Sequence, residues 1–105
     1  MGNQSNHYKN KRYKREQFIE RHLHGDGKVI DSFIVDKGHK NGLERHDITD
    51  NGLIIVYNLE SQKLVTKLIA RPQQIKRYYQ DVDRNPPRWL VDLAYWHNTL
   101  NYNNA

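Results

Sequence analysis

Two runs of β-forming residues, joined by a short polar connection and entered through a tight turn, constrain this chain more than any other feature. Asp50-Asn51-Gly52 is a turn sequence, Leu53–Tyr57 (LIIVY) is the first run, Asn58–Gln62 is polar, and Lys63–Ala70 (KLVTKLIA) is the second. This pattern predicts a β-hairpin. Side chains alternate along a strand, so Leu53, Ile55 and Tyr57 share one face, and Leu64, Thr66, Leu68 and Ala70 share a face of the second strand. The other face of that strand carries Val65, Lys67 and Ile69 and then Arg71, which places Lys67 and Arg71 on one side. His46–Thr49 supplies a short strand before the turn, making a three-stranded meander.

The flanking segments complete the fold class. Phe18, Ile19 and Leu23 fall at i, i+1 and i+5 with charges between them, predicting a short amphipathic helix over Lys14–His24 that ends at Gly25-Asp26-Gly27. Lys28–Lys37 reads as a strand whose imperfect alternation predicts a bulge or burial on both sides. Residues 37–46 (KGHKNGLERH) read as a loop punctuated by Gly38 and Gly42. Pro72 suits the first turn of a helix over 72–80, with Ile75, Tyr78 and Tyr79 inward. Pro86-Pro87 breaks the chain before the clearest helix, Arg88–Leu100. There Leu90, Leu93, Ala94, His97 and Leu100 repeat at helical spacing, and Trp89 and Trp96 widen the apolar face. The expectation is an α+β domain: a small antiparallel sheet of three to four strands, with an N-terminal helix and C-terminal helices packed on it. Residues 1–13 read as a disordered basic tail, and 14–103 as one domain.

Composition narrows the functional classes. A chain of 105 residues with 36% hydrophobic content has room for one small core. The absence of cysteine excludes disulfides, thiolate metal sites and a cysteine nucleophile. Apolar runs of four or five residues are too short to span a membrane, and the N-terminus lacks the apolar segment of a secretory signal, so a cytoplasmic protein is expected.

Charge is unevenly placed. Residues 1–15 hold Lys9, Lys11, Arg12, Lys14 and Arg15 without an acid, which accounts for the whole net charge of +5 and leaves 12 basic and 12 acidic residues elsewhere. Tyr8 and Tyr13 interleave with these cations, as in segments that stack on bases while pairing with phosphates. From Ser61 to Gln80, Lys63, Lys67, Arg71, Lys76 and Arg77 again occur without an acid, which points to an anion site with phosphate as the candidate.

The residues suited to chemistry are His39, Lys40, Glu44, Arg45 and His46 in the 37–46 segment, together with Thr66, Lys67 and Arg71. Metal-free RNA cleavage needs one group to take the 2′-hydroxyl proton, another to protonate the leaving 5′-oxygen, and cations to stabilise the phosphorane. Histidine serves either proton role near neutral pH, and Lys or Arg supplies the charge. Blander readings stand beside these. Glu44 can pair with Arg45 or Lys40, Lys67 can be the exposed half of an alternating strand, and His97 can be a hydrogen-bonded core residue. His22, His24, His39 and His46 lack the accompanying acids of a metal site, so neither metal nor cofactor is assigned.

The stretch from Phe33 to Tyr79, through "NGLERH", the hairpin and "IARPQQIKRYY", resembles small phage and prophage proteins of Gram-positive bacteria. These belong to the barnase/EndoU/colicin/RelE-like superfamily of metal-independent ribonucleases. The resemblance covers a little under half the chain. It implies an antiparallel sheet with N-terminal helical structure, and RNA cleavage through the 2′-hydroxyl to a 2′,3′-cyclic phosphate. It would make His46 (or His39) the acid/base residue, Lys67 and Arg71 the phosphate-stabilising cations, and Thr66 a substrate contact. The long last helix is outside the resemblance. RNA is then the expected partner, with Lys63, Lys76, Arg77, Lys40 and Arg45 as further contacts. Two rival classes remain: a non-catalytic nucleic-acid-binding module, and a protein-interaction domain, such as a phage-encoded inhibitor of a host enzyme or a homodimer, presenting Trp89, Tyr95, Trp96 and Tyr102.

Overall fold

A computed structural model of the chain describes residues 12–38 and 42–103. The segment Leu53–Tyr57 has no polar face, and the fold is arranged around that fact. It forms β3 (Leu53–Asn58), third in an antiparallel sheet of order β1-β2-β3-β4 with β1 (Val29–Asp36), β2 (Leu43–Thr49) and β4 (Leu64–Ile69). Leu53, Ile54, Ile55 and Val56 are all buried. Because they alternate, both faces of the sheet must be covered.

One face is covered by α2 (Pro72–Asp81) and α3 (Arg88–Asn103). Phe33, Ile48, Ile54 and Val56 pack there with Ile75 and Tyr79 of α2 and Leu90 and Ala94 of α3. Pro72 sits at the start of α2, where its missing N–H costs nothing, and the Gln74 side chain accepts from the Arg71 backbone N–H at 2.9 Å. The opposite face is covered by α1. Residues 12–18 form an α-helix that widens into a π turn over Ile19–Leu23. The i, i+5 spacing of Phe18 and Leu23 explains the widening. A π turn closes from i to i+5, which brings both side chains onto Leu53 and Ile55, where both are buried. The helix includes Arg12 and Tyr13, assigned to the tail from sequence, with Arg12 and Glu16 paired one turn apart. Residues 1–11 lie outside the described part.

The loop expected over 37–46 is shorter. Glu44, Arg45 and His46 belong to β2, which pairs with β1 along its length and with β3 from Glu44 to Ile48. The charged letters of LERHDIT hide a strand that is buried over most of its length. Conversely, β4 ends at Ile69 and Arg71 is the cap residue of α2, so Lys67 and Arg71 do not share a strand face as expected. The bulge expected in the first strand is present between Val29 and Asp31. The described helices include none long and apolar enough to cross a membrane.

The β2–β3 turn joins these layers. Asn51 donates from its side-chain amide to the Gly25 carbonyl at 2.7 Å, tying the end of α1 to the turn. Gly52 has φ +87°, and His97 of α3 packs against it so closely that a Cβ there would lie 2.9 Å from His97 Nδ1. Replacing Gly52 with Ala is expected to cost roughly 1–3 kcal/mol. Gly38→Ala, at φ +82° with nothing near its Cβ, carries only the backbone part of that cost. Thermal unfolding of the two variants separates the contact from the backbone conformation; equal losses would remove the His97 contact from the account.

His97 Nδ1 is buried without a hydrogen-bond partner, facing Gly52 on the turn and Phe18 and His22 on α1. Burial, reinforced by the charge of His22, lowers its pKa below the ordinary 6.5. As pH falls, the unfolded chain therefore takes up this proton first, so the stabilisation is complete above about pH 6.5 and declines below it. Denaturant unfolding between pH 7 and pH 5 should show a smaller loss in His97→Gln than in the parent, and an unchanged loss would contradict this.

Candidate functional site

Glu44 and His46 are two residues apart on β2, so both face the side covered by α2 and α3. The two residues are 6% and 5% exposed, which makes unpaired polar atoms there costly. Both ring nitrogens of His46 are in fact engaged. The Glu44 carboxylate can only accept, so Nε2–H donates to Glu44 Oε1 at 2.9 Å. Nδ1 is then an acceptor, and the Tyr78 hydroxyl of α2 donates to it at 2.5 Å. Phe33 stacks on the Tyr78 ring with centroids 5.2 Å apart, which fixes the ring in place. Burial, followed by the nearby Glu44 charge, pushes the Tyr78 phenol up to about 12. The phenol therefore holds its proton at neutral pH unless His46 takes it. A hydroxyl bonded to an imidazole whose far nitrogen is held by a carboxylate has the arrangement of a base-assisted nucleophile or a proton relay.

The other expected residues divide between the two faces. Val56 pairs with both His46 and Thr66, so Thr66 lies on the His46 face, two strand spacings or about 10 Å away. Arg71, Gln74 and Tyr78 fall at i, i+3 and i+7, along the flank of α2 turned away from α3. Arg71 is exposed, as is Arg77 next to Tyr78. Lys67 pairs with Ile55 and so lies on the α1 face, where its Nζ binds both carboxylate oxygens of Asp26 at 2.8 and 2.9 Å. Arg45 is on that face too, bonded to Asp47 at 3.0 Å with its guanidinium 4.7 Å above the Tyr57 ring. Lys63 is exposed beside the β3–β4 turn, and Lys76 lies over the Tyr95 ring at 5.7 Å. His39 and Lys40 fall outside the described residues.

The constellation expected from sequence is therefore split. Glu44, His46 and Thr66 share a face, and Arg71 is on the adjoining flank of α2. Lys67 and Arg45 are separated from them by the sheet and have acidic partners of their own. Among the described residues no group of three or more His, Asp or Glu could hold a metal. A shallow hollow of about 310 Å³ at the α2–α3 junction, lined by Lys76, Gln80, Asp83, Arg84, Asn85 and Pro86, includes only Lys76 of the expected residues. Next to it the Tyr79 hydroxyl donates to Asp31, whose carboxylate also accepts from Arg84 at 3.2 and 3.3 Å.

Two features escaped the sequence. Tyr78 reads there as one more inward aromatic beside Ile75 and Tyr79, and nothing in the spacing marks a hydroxyl that meets a histidine. Trp89 and Trp96 were expected to widen the apolar face of α3, but they are 51% and 59% exposed, as is Tyr95 at 55%. Their phase carries the signal. The buried stripe is Leu90, Ala94 and His97, and residues seven apart at 89 and 96 lie beside that stripe rather than within it.

Tyr78→Phe removes the donor to a buried acceptor and should destabilise the domain by roughly 1–3 kcal/mol in denaturant unfolding, whereas no loss would show that His46 Nδ1 finds another partner. Comparison with protein-family models, with curated proteins and with solved structures finds no match for this chain.

Proposed function

We propose that this chain is a metal-independent ribonuclease whose base is the line Glu44–His46–Tyr78. The observation behind this reading is the unbroken hydrogen bonding from a buried carboxylate, through both nitrogens of an imidazole, to a half-buried hydroxyl. In the proposed reaction the RNA 2′-hydroxyl gives its proton to the Tyr78 oxygen as the Tyr78 proton passes to His46 Nδ1. Glu44 stabilises the imidazolium that forms. The 2′-oxygen bonds to phosphorus, the bond from phosphorus to the 5′-oxygen breaks, and the product is a 2′,3′-cyclic phosphate. The leaving oxygen departs on the opposite side of phosphorus and needs a separate acid. His39, on the segment joining β1 to β2, is the sequence candidate for it. Arg71 and Thr66 supply a cation and a hydroxyl on the same side of the molecule as Tyr78. Lys67 has no part in this reaction, because Asp26 already holds it on the other face.

Cleavage of end-labelled RNA in EDTA tests the proposal. The parent should cleave to 2′,3′-cyclic ends. Tyr78→Phe and Glu44→Gln should each slow the reaction by roughly 10²–10⁴-fold while remaining folded, and Lys67→Ala should leave the rate unchanged. Absence of cleavage by the folded parent, or parental rates in Tyr78→Phe, would overturn the assignment.

A further inference from the structure

The outer surface of α3 is not explained by the core or by the Glu44–His46–Tyr78 line. Trp89, Tyr95 and Trp96 are each more than half exposed, on a chain whose apolar residues are scarce. Solvent-exposed aromatics grouped in this way mark an interaction surface. The area argues against a second copy of the chain as occupant. Aromatic side chains bury roughly 150–250 Å² each, so three half-open rings offer on the order of 300 Å², whereas a stable protein pair needs about 800 Å² per partner.

The charges beside the rings point elsewhere. Lys76, whose Nζ lies 5.7 Å from the Tyr95 ring, is exposed, as are Arg77 and Arg88. Asp92 is exposed on the same helix, and like charge disfavours phosphate beside it, so the phosphates are assigned to the cations and the tryptophan rings to base contacts. Trp89 and Trp96 are seven residues apart, about 10.5 Å along the helix, which matches about three stacked-base steps of 3.4 Å. Across the surface, Tyr78 and Arg77 on α2 are followed by Lys76 and then by Tyr95 on α3.

We infer that the exposed face of α3, with Lys76 and Arg77 of α2, is a binding surface for single-stranded RNA, with unpaired bases stacked on Trp89, Tyr95 and Trp96 and phosphates on the cations. The choice of RNA rests on the proposed ribonuclease reading; the stacking and the strandedness do not. A duplex hides the faces of its bases and cannot use such a surface, whereas a single strand can. The strand would run from the cleavage centre over α2 onto α3.

The test is fluorescence anisotropy with a short fluorescein-labelled 2′-O-methyl oligoribonucleotide. This ligand lacks the attacking hydroxyl, so binding is read without cleavage. The parent should bind it with steep salt dependence and with quenching of tryptophan fluorescence, and should bind the matching duplex much more weakly. Replacing Trp89 or Trp96 with Ala, both at exposed positions, should weaken binding roughly 5- to 150-fold per ring with an unchanged circular dichroism spectrum. Intact binding by a parent that does not cleave RNA would overturn the ribonuclease reading and spare this one. Parental affinity in the tryptophan variants would overturn the inference. So would sedimentation showing a parent dimer that those variants abolish, which would make the face a self-association surface.

Discussion

Burial of β3 on both faces is the constraint from which the rest of the molecule follows. Leu53, Ile54, Ile55 and Val56 are all withdrawn from water, and each such side chain contributes roughly 1.5–3 kcal/mol of transfer free energy. A four-stranded sheet with one wet face would forfeit half of that. The chain instead places α1 beneath and α2 and α3 above, with Leu100 at the end of α3 reaching the lower layer. The β2–β3 turn is where these layers meet. Its Asn51 holds the end of α1, and its Gly52 admits His97 of α3.

A two-sided sheet also decides which polar groups can meet, because neighbours in sequence are sent to opposite sides. Glu44 and His46 go up and Arg45 and Asp47 go down. Each pair settles its own charges: the upper one bonds through to Tyr78, and the lower one bonds internally and to Ser32. Lys67 falls on the lower side and is held by Asp26 from the loop after α1. The upper side is thus the place where an imidazole, a phenol and a carboxylate are aligned. The cations available to it come from α2 rather than from the strands.

The elements with strong local signals were legible in the sequence. The hairpin, the Pro72 helix and the last helix follow from periodicity and turn residues, and the positions of Ile75, Leu90 and Ala94 in the core follow with them. β2 was not fully legible, because only two of the seven residues of LERHDIT, Ile48 and Thr49, are strong β-formers, and its burial is supplied by partners on both sides. The site suffered from the same cause. Listing His46, Glu44, Thr66, Lys67 and Arg71 identified residue types suited to phosphate chemistry, but only the strand register decides that Lys67 is on the far side. Tyr78 entered through a tertiary contact across 32 positions of sequence, which no local pattern records.

The central claim is that His46 is a fixed link between a carboxylate and a phenol, and its imidazole can report this directly. In long-range proton–nitrogen NMR of histidine-labelled protein, His46 should appear as a single Nε2–H tautomer with a slowly exchanging proton, and Tyr78→Phe should shift its Nδ1 resonance. Rapid exchange between tautomers, with no response to Tyr78→Phe, would contradict the arrangement and remove the basis for chemistry at this site.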